Sequence, residues 1–160
     1  MTQRINYIRQ SPDLFKKFLE FNNALVQDGA IEEKTHDLVV IRASQLNGCA
    51  FCLDMHVKQA KMHGERELRI YHLPIWREST LFSPRERAAL AWTEVLTKLT
   101  EQGVPDDIYE HVRTQLSEKE ISDLTFVVMA INAWNRVNIA FRTVPGSADA
   151  AYGLVEAKLS

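Results

Sequence analysis

A long apolar segment that ends at Phe141 constrains the fold most. It begins at Ser117-Glu118-Lys119-Glu120, where a serine followed three residues later by a glutamate is the pattern of a helix N-terminal capping box. Apolar residues then recur at helical spacing around most of the circumference, and Pro145-Gly146 follows as a stop. A helix with so much apolar surface must be covered by other helices or by a second subunit. The segment therefore predicts a helical core and a homo-oligomer.

The rest of the chain shows the same helical periodicity, with start and stop signals of its own. The four-residue apolar run at 38–41 also fits a buried strand, but segment length and the absence of a hairpin partner favour a helix. The stretch 71–83 is expected to be a surface connection. The further predicted helices run from 11 to 29, 32 to 46, 49 to 63 and 83 to 99, with one more starting at Pro105. The sequence predicts an all-α, compact multi-helix fold in a single domain spanning residues 1–160.

Composition and charge exclude several classes of partner. The 160 residues are 46% hydrophobic and 25% charged, as in an ordinary globular domain. The net charge is -2, and scattered Lys and Arg leave no basic surface for nucleic acid. The start MTQRINYIRQ lacks the apolar centre of a signal peptide, and no run approaches the roughly 20 apolar residues of a membrane span. We expect a cytoplasmic protein with neither nucleic-acid nor membrane partners.

The stretch NGCAFCLDMH contains both cysteines of the chain. On a helix, Cys52 and His56 lie on the same side as Cys49, three and seven residues after it. A helix N-terminus and an adjacent imidazole both favour the thiolate, so Cys52 is the predicted nucleophile. Cys49 is placed to attack an oxidised Cys52 and close a disulfide.

Other interpretations of the cysteine pair remain open. A zinc ion could bind the pair together with His56, but a fourth ligand would have to come from His36 or Asp37. Two buried thiols without a function are also possible. Covalent haem attachment is excluded, because Leu53 stands where the histidine would be needed. The favoured redox interpretation requires no bound cofactor and no metal.

Polar residues on the last long helix have two possible roles. Asn135, Arg136 and Asn138 interrupt an apolar surface, so they either face the active centre or form structural hydrogen bonds. Structural bonding is the favoured interpretation. His63 has no partner in the sequence pattern and is expected on the surface.

Three ordered blocks resemble the alkylhydroperoxidase D-like branch of the carboxymuconolactone decarboxylase superfamily. They are DLVVIRASQLNGCAFCLDMH, SPRERAALAWTEVLT and AINAWNRVNIAFR, which together span most of residues 12–145. The resemblance implies an all-helical domain that assembles into trimers or hexamers and acts as a cysteine-based peroxidase or thiol-disulfide oxidoreductase. By motif position it implies that Cys52 is peroxidatic and Cys49 resolving. It also implies that His56 takes the proton in a relay to an upstream acid, Asp37.

Two positions depart from the family pattern. The upstream acid is usually glutamate, and Asp37 has a shorter reach, while Phe51 stands where the best-studied relatives have a second histidine. The decarboxylase branch generally lacks the cysteine pair, which favours redox chemistry here. We therefore expect reduction of a hydroperoxide in antioxidant defence, with an external dithiol as reductant. The alternatives are a non-catalytic redox-sensing or zinc-binding module and a carboxymuconolactone decarboxylase-type enzyme.

Overall fold

The computed structural model describes residues 2–157, without the side chain of Asp28. Within that part of the chain every regular element is a helix. The α-helices are α1 (Tyr7–Gln10), α2 (Pro12–Asp28), α3 (Glu33–Asn47), α4 (Ala50–Met62), α5 (Glu67–His72), α6 (Pro84–Thr97), α7 (Asp106–Arg113), α8 (Glu118–Phe141) and α9 (Asp149–Tyr152). Short 3-10 helices cover Leu73–Ile75 and Leu154–Glu156. The predicted all-α class is confirmed.

Helix α3 lies at the centre of the molecule and packs against α4, α6 and α8. Val39 and Val40 belong to a core cluster that includes residues of α4, α6 and α8. Leu38 and Ile41 belong to a second cluster with residues of α5 and α6. A helix buried on two sides shows a continuous apolar run, which explains why this segment also resembles a strand.

Helix α8 begins where the capping box predicts. Ser117 Oγ accepts the amide hydrogen of Glu120, and the Glu120 carboxylate accepts that of Ser117 at 2.8 Å. By length and composition α8 would suffice to cross a bilayer, contrary to the expectation from the sequence. A core helix meets the same criterion, and Leu124, Val128 and Ile131 are buried in the core.

The stretch expected to be a surface connection is instead part of the second core cluster. It contains the end of α5 and a 3-10 helix, and it buries Leu73, Trp76 and Phe82. Tyr71 and Ile75 are exposed as expected, at 70% and 58%. The prediction was wrong for Leu73, Trp76 and Phe82, because these side chains follow no simple period. Their burial depends on contacts with α3 and α6 that are distant in sequence.

Hydrogen bonds and ion pairs hold the N-terminal and C-terminal segments of the described chain against α8 and α4. The backbone N–H of Arg4 donates to the carbonyl of Phe141 at 2.9 Å. After α8, Lys58 of α4 forms ion pairs at 2.7 Å with Asp54 and with Asp149 of α9. These contacts bring α1 and α9 to the side of the molecule where the cysteine pair lies.

Candidate active site

The turn between α3 and α4 places the two cysteines. Gly48 ends α3 with φ 69°, a left-handed conformation that glycine adopts without steric cost. Cys49 is the N-cap of α4, and its Sγ accepts the amide hydrogen of Cys52 at 3.3 Å. The two residues, with Cα atoms 5.4 Å apart, form a disulfide. The structure thus joins the two sulfurs that the sequence spacing predicted could meet.

Cys52 lies in the wall of a cavity of about 810 Å³, and Cys49 lies outside that wall. Both side chains are almost completely buried, at 1% exposed. Among the residues described, Cys52 lines the cavity and Cys49 does not. Of the two cysteines, Cys52 is therefore the nearer to a molecule bound in the cavity.

The cavity wall is largely apolar, and its polar groups are uncharged among the side chains described. Of the side chains that the structure describes, no Asp, Glu, Lys or Arg lines it. Its polar groups are amides, hydroxyls and imidazoles, which can orient a ligand by hydrogen bonds. The apolar part includes Phe15, Leu19, Phe51, Val127, Ile131 and Trp134.

Two histidines line the cavity together with Cys52. Burial lowers the pKa of His56 to about 4 and that of His36 also to about 4, so both imidazoles are neutral at pH 7. The Nδ1 of His56 lies 2.8 Å from Oε1 of Gln59. With that oxygen accepting, Nδ1 carries the proton, and Nε2 is the nitrogen able to take up another.

The relay that the family resemblance implies between His56 and Asp37 has no direct hydrogen bond in the part of the chain that the structure describes. Asp37 Oδ2 lies 2.8 Å from Nδ1 of His63, and no hydrogen bond joins it to His56 in residues 2–157. Successive residues of a helix are about 100° apart, so His36 faces the cavity while Asp37 points elsewhere. Burial raises the pKa of Asp37, and the hydrogen bond from His63 opposes that rise. His63 is exposed, as expected, and Asp37 is a partner that the sequence pattern did not reveal.

Zinc binding by the cysteine pair and His56 would require His36 or Asp37 as a fourth ligand. Residues 2–157 contain no group of three or more His, Cys, Asp or Glu side chains arranged to hold a metal ion. Asp37 pairs with His63, and His36 lines the cavity with Cys52 and His56 without being part of such a group.

Asn135 forms the structural hydrogen bonds expected from the sequence. It is fully buried, and its Oδ1 accepts from Asn47 Nδ2 at 2.9 Å while its Nδ2 donates to Ser44 Oγ at 3.1 Å. Arg136 donates to the carbonyl of Asn132 at 2.8 Å. The bond of Arg136 lies within α8, whereas the two bonds of Asn135 link α8 to the C-terminal turn of α3, immediately before the cysteine pair.

Asn138 faces the active centre instead. Its Nδ2 lies 3.7 Å from Sγ of Cys52 and donates to the carbonyl of Trp134 at 2.9 Å. Its Oδ1 accepts a hydrogen bond from the hydroxyl of Tyr7 at 3.3 Å. A buried amide on an apolar helix was the sequence signal for Asn138. Tyr7 gave no signal, since it lies 131 positions away in the chain.

The fold is all-α, with a cysteine pair at a helix N-terminus and the sulfur of Cys52 facing a largely apolar cavity. The family model described as "Carboxymuconolactone decarboxylase family" matches residues 12–95. The uncharacterized protein YdfG of Bacillus subtilis is 41% identical over 140 residues, which cover 88% of this chain and 95% of YdfG. The chain belongs to the carboxymuconolactone decarboxylase family.

Solved structures agree with this membership. A protein of unknown function from Agrobacterium tumefaciens, named as a candidate antioxidant defence protein AhpD, superposes with a TM-score of 0.86. It is 40% identical, and the match covers 90% of this chain and 98% of that one. The debrominase Bmp8 superposes with a TM-score of 0.78 at 18% identity, over 94% of this chain and 80% of its own. That second likeness concerns the fold alone.

Proposed function

We propose that the protein reduces an organic hydroperoxide through Cys52, with Cys49 as the resolving cysteine. The observation that carries the proposal is the disulfide between these residues, with Cys52 lining a cavity beside the neutral His56. The similarity to a candidate antioxidant defence protein supports the same chemistry.

In the first step Nε2 of His56, which is neutral at rest, takes up the proton of the Cys52 thiol transiently as the sulfur attacks. The resulting thiolate attacks the terminal oxygen of the hydroperoxide, so that an S–O bond forms and the O–O bond breaks. The leaving alkoxide takes the proton from His56 and departs as an alcohol. Sulfur is oxidised by two electrons, the peroxide is reduced by two, and Cys52 becomes a sulfenic acid.

In the second step Cys49 converts the sulfenic acid of Cys52 into a disulfide. Its sulfur attacks that of the Cys52 sulfenic acid, an S–S bond forms, its own thiol proton joins the departing hydroxyl and water leaves. An external dithiol then reduces the disulfide and is itself oxidised to a disulfide. The cycle requires no bound cofactor and is suited to the cytoplasm, where thiol reductants are abundant.

The cavity favours an uncharged hydroperoxide with an apolar substituent. Its walls offer aromatic and aliphatic surface, and no charged side chain among those described lines it, so a carboxylate would be desolvated there without a counter-charge. Cumene hydroperoxide, which is neutral and aromatic, fits this chemistry and is the probe of choice.

A thiol titration tests the proposal. Fully reduced protein is mixed with one equivalent of cumene hydroperoxide, and free thiols and cumyl alcohol are both quantified. We expect the loss of both thiols of the chain, formation of one equivalent of alcohol, and full recovery of the thiols with dithiothreitol. The Cys52→Ser protein serves as the control and should form no alcohol. Retention of both thiols with intact peroxide would contradict the proposal.

A further inference from the structure

In the resting site no cationic side chain lies beside Cys52. Burial keeps His56 and His36 neutral at pH 7, and no Lys or Arg among the described side chains lines the cavity. The remaining titratable groups in the wall are Tyr7 and Tyr152, which cannot supply positive charge. A thiolate on Cys52 must therefore be stabilised by the N-terminus of α4 or by a neutral hydrogen-bond donor.

Asn138 is such a donor. It is 4% exposed, and its Nδ2 lies 3.7 Å from Sγ of Cys52, within hydrogen-bonding range for sulfur. Hydrogen bonds at both the nitrogen and the oxygen fix the orientation of the side-chain amide. One Nδ2 hydrogen goes to the carbonyl of Trp134, and Oδ1 accepts the hydroxyl of Tyr7. The second Nδ2 hydrogen is thereby directed towards the sulfur.

We propose that Asn138 is a catalytic residue that stabilises the Cys52 thiolate, and that Tyr7 is a positioning residue that holds the Asn138 amide in place. This inference rests on the proposed function in treating that thiolate as the nucleophile. A disulfide sulfur is a weak acceptor, whereas a thiolate is charged and accepts a much stronger hydrogen bond. The amide therefore favours the ionised form over the thiol.

The rate of alkylation by iodoacetamide, measured from pH 5 to pH 10, tests this role. The parent protein carries Cys49→Ser, so that Cys52 is its single thiol. We expect Asn138→Ala to raise the midpoint of the rate profile by about one pH unit, which is roughly tenfold slower alkylation below the midpoint. The plateau at high pH should be unchanged. Tyr7→Phe should shift the midpoint in the same direction by a smaller amount.

Asn23→Ala is the matched control, because Asn23 also lines the cavity but lies on α2, with no hydrogen bond to either cysteine among the bonds described. Its midpoint should equal that of the parent. A merely structural role of Asn138 would lower the unfolding temperature without moving the midpoint. Equal midpoints for Asn138→Ala and the parent would overturn the proposal.

A second measurement leaves Asn138 intact and is decisive if Asn138→Ala does not fold. In the Cys49→Ser protein, the ¹H–¹⁵N resonances of the Asn138 side-chain amide should move with pH at the midpoint found by alkylation of Cys52. Cys52→Ser should abolish this movement. Resonances that do not respond to ionisation of Cys52 would overturn the proposal. Neither experiment uses a peroxide, so the inference and the proposed function can fail separately.

Discussion

The two cysteines differ in their surroundings although they are three residues apart. The sulfur of Cys49 accepts a backbone hydrogen bond behind the cavity, whereas Cys52 faces the cavity and the amide of Asn138. In the proposed reaction a peroxide bound in the cavity is nearer to Cys52, so oxidation is expected to start there. Cys49 then acts on the oxidised sulfur.

This difference predicts unequal effects of replacing each cysteine by serine. Cys52→Ser should abolish consumption of cumene hydroperoxide, since no other thiol lines the described cavity. Cys49→Ser should consume one equivalent and stop at a sulfenic acid on Cys52, which dimedone labelling and mass spectrometry detect. The reverse pattern would exchange the two roles.

The two half-buried histidines of the cavity make stability depend on pH. His36 and His56 have a pKa of about 4 in the folded protein, against 6.5 when unperturbed. Unfolding raises their affinity for protons, so the stabilisation from keeping them neutral is complete above about pH 6.5 and is lost as pH falls towards 4. Each contributes about 2 kcal/mol to the loss between pH 7 and pH 4.5.

Urea unfolding of the oxidised protein at pH 7 and pH 4.5 measures this effect. His36→Gln should reduce the loss of unfolding free energy on acidification by about 2 kcal/mol, because glutamine does not titrate. His111→Gln, an exposed position on α7, is the control and should leave the loss unchanged. An identical loss in His36→Gln and the unsubstituted protein would show that His36 is not kept neutral by burial.

At the scale of elements, α8 depends on its capping box. Ser117 is bonded to Glu120 in both directions, whereas Ser11 at the N-cap of α2 makes no side-chain capping hydrogen bond. The two serines occupy equivalent positions, so they form a matched pair for measuring the value of a cap.

Ser117→Ala should lower the free energy of unfolding by about 1 kcal/mol. Ser11→Ala should lower it by less than about 0.5 kcal/mol, because alanine there removes no hydrogen bond. Denaturant titrations of both variants at pH 7 provide the comparison. Equal losses would mean that the capping box does not stabilise α8.

At the scale of the whole molecule, several apolar side chains of α2 and α8 are exposed to solvent. Phe126, Met129 and Ile139 of α8 are 46%, 51% and 44% exposed, and Leu14 and Val26 of α2 are more exposed still. Helices α2 and α8 are neighbours. An apolar surface of this kind is commonly covered in an assembly, and we propose a homo-oligomer in which a second copy packs against it.

Light scattering at micromolar concentration should give a mass well above the 18.3 kDa of one chain. The double variant Phe126→Glu and Met129→Glu should shift the mass towards that value, since it places charges in the buried contact. Tyr71→Glu, at a position 70% exposed on α5, should not. A monomer for the unsubstituted protein would contradict the proposed assembly.

Local sequence signals were sufficient for most elements of this protein. Each signal is adjacent to the helix that it predicts. The capping serines Ser83 and Ser117 begin α6 and α8, the glycine after α3 ends that helix, and the helical periodicity lies within the helices themselves. The meeting of Cys49 and Cys52 is also local, because a separation of three places both on one side of a helix.

Only the tertiary structure decided which side chains share the cavity. His36 rather than Asp37 faces it because of the rotation of α3 against its neighbours, and Gln59 rather than Asp37 pairs with His56. The bond between Tyr7 and Asn138 joins residues 131 positions apart. Spacing along a helix determines which residues share its face, but the partners of that face depend on how separate helices pack, which no local pattern specifies.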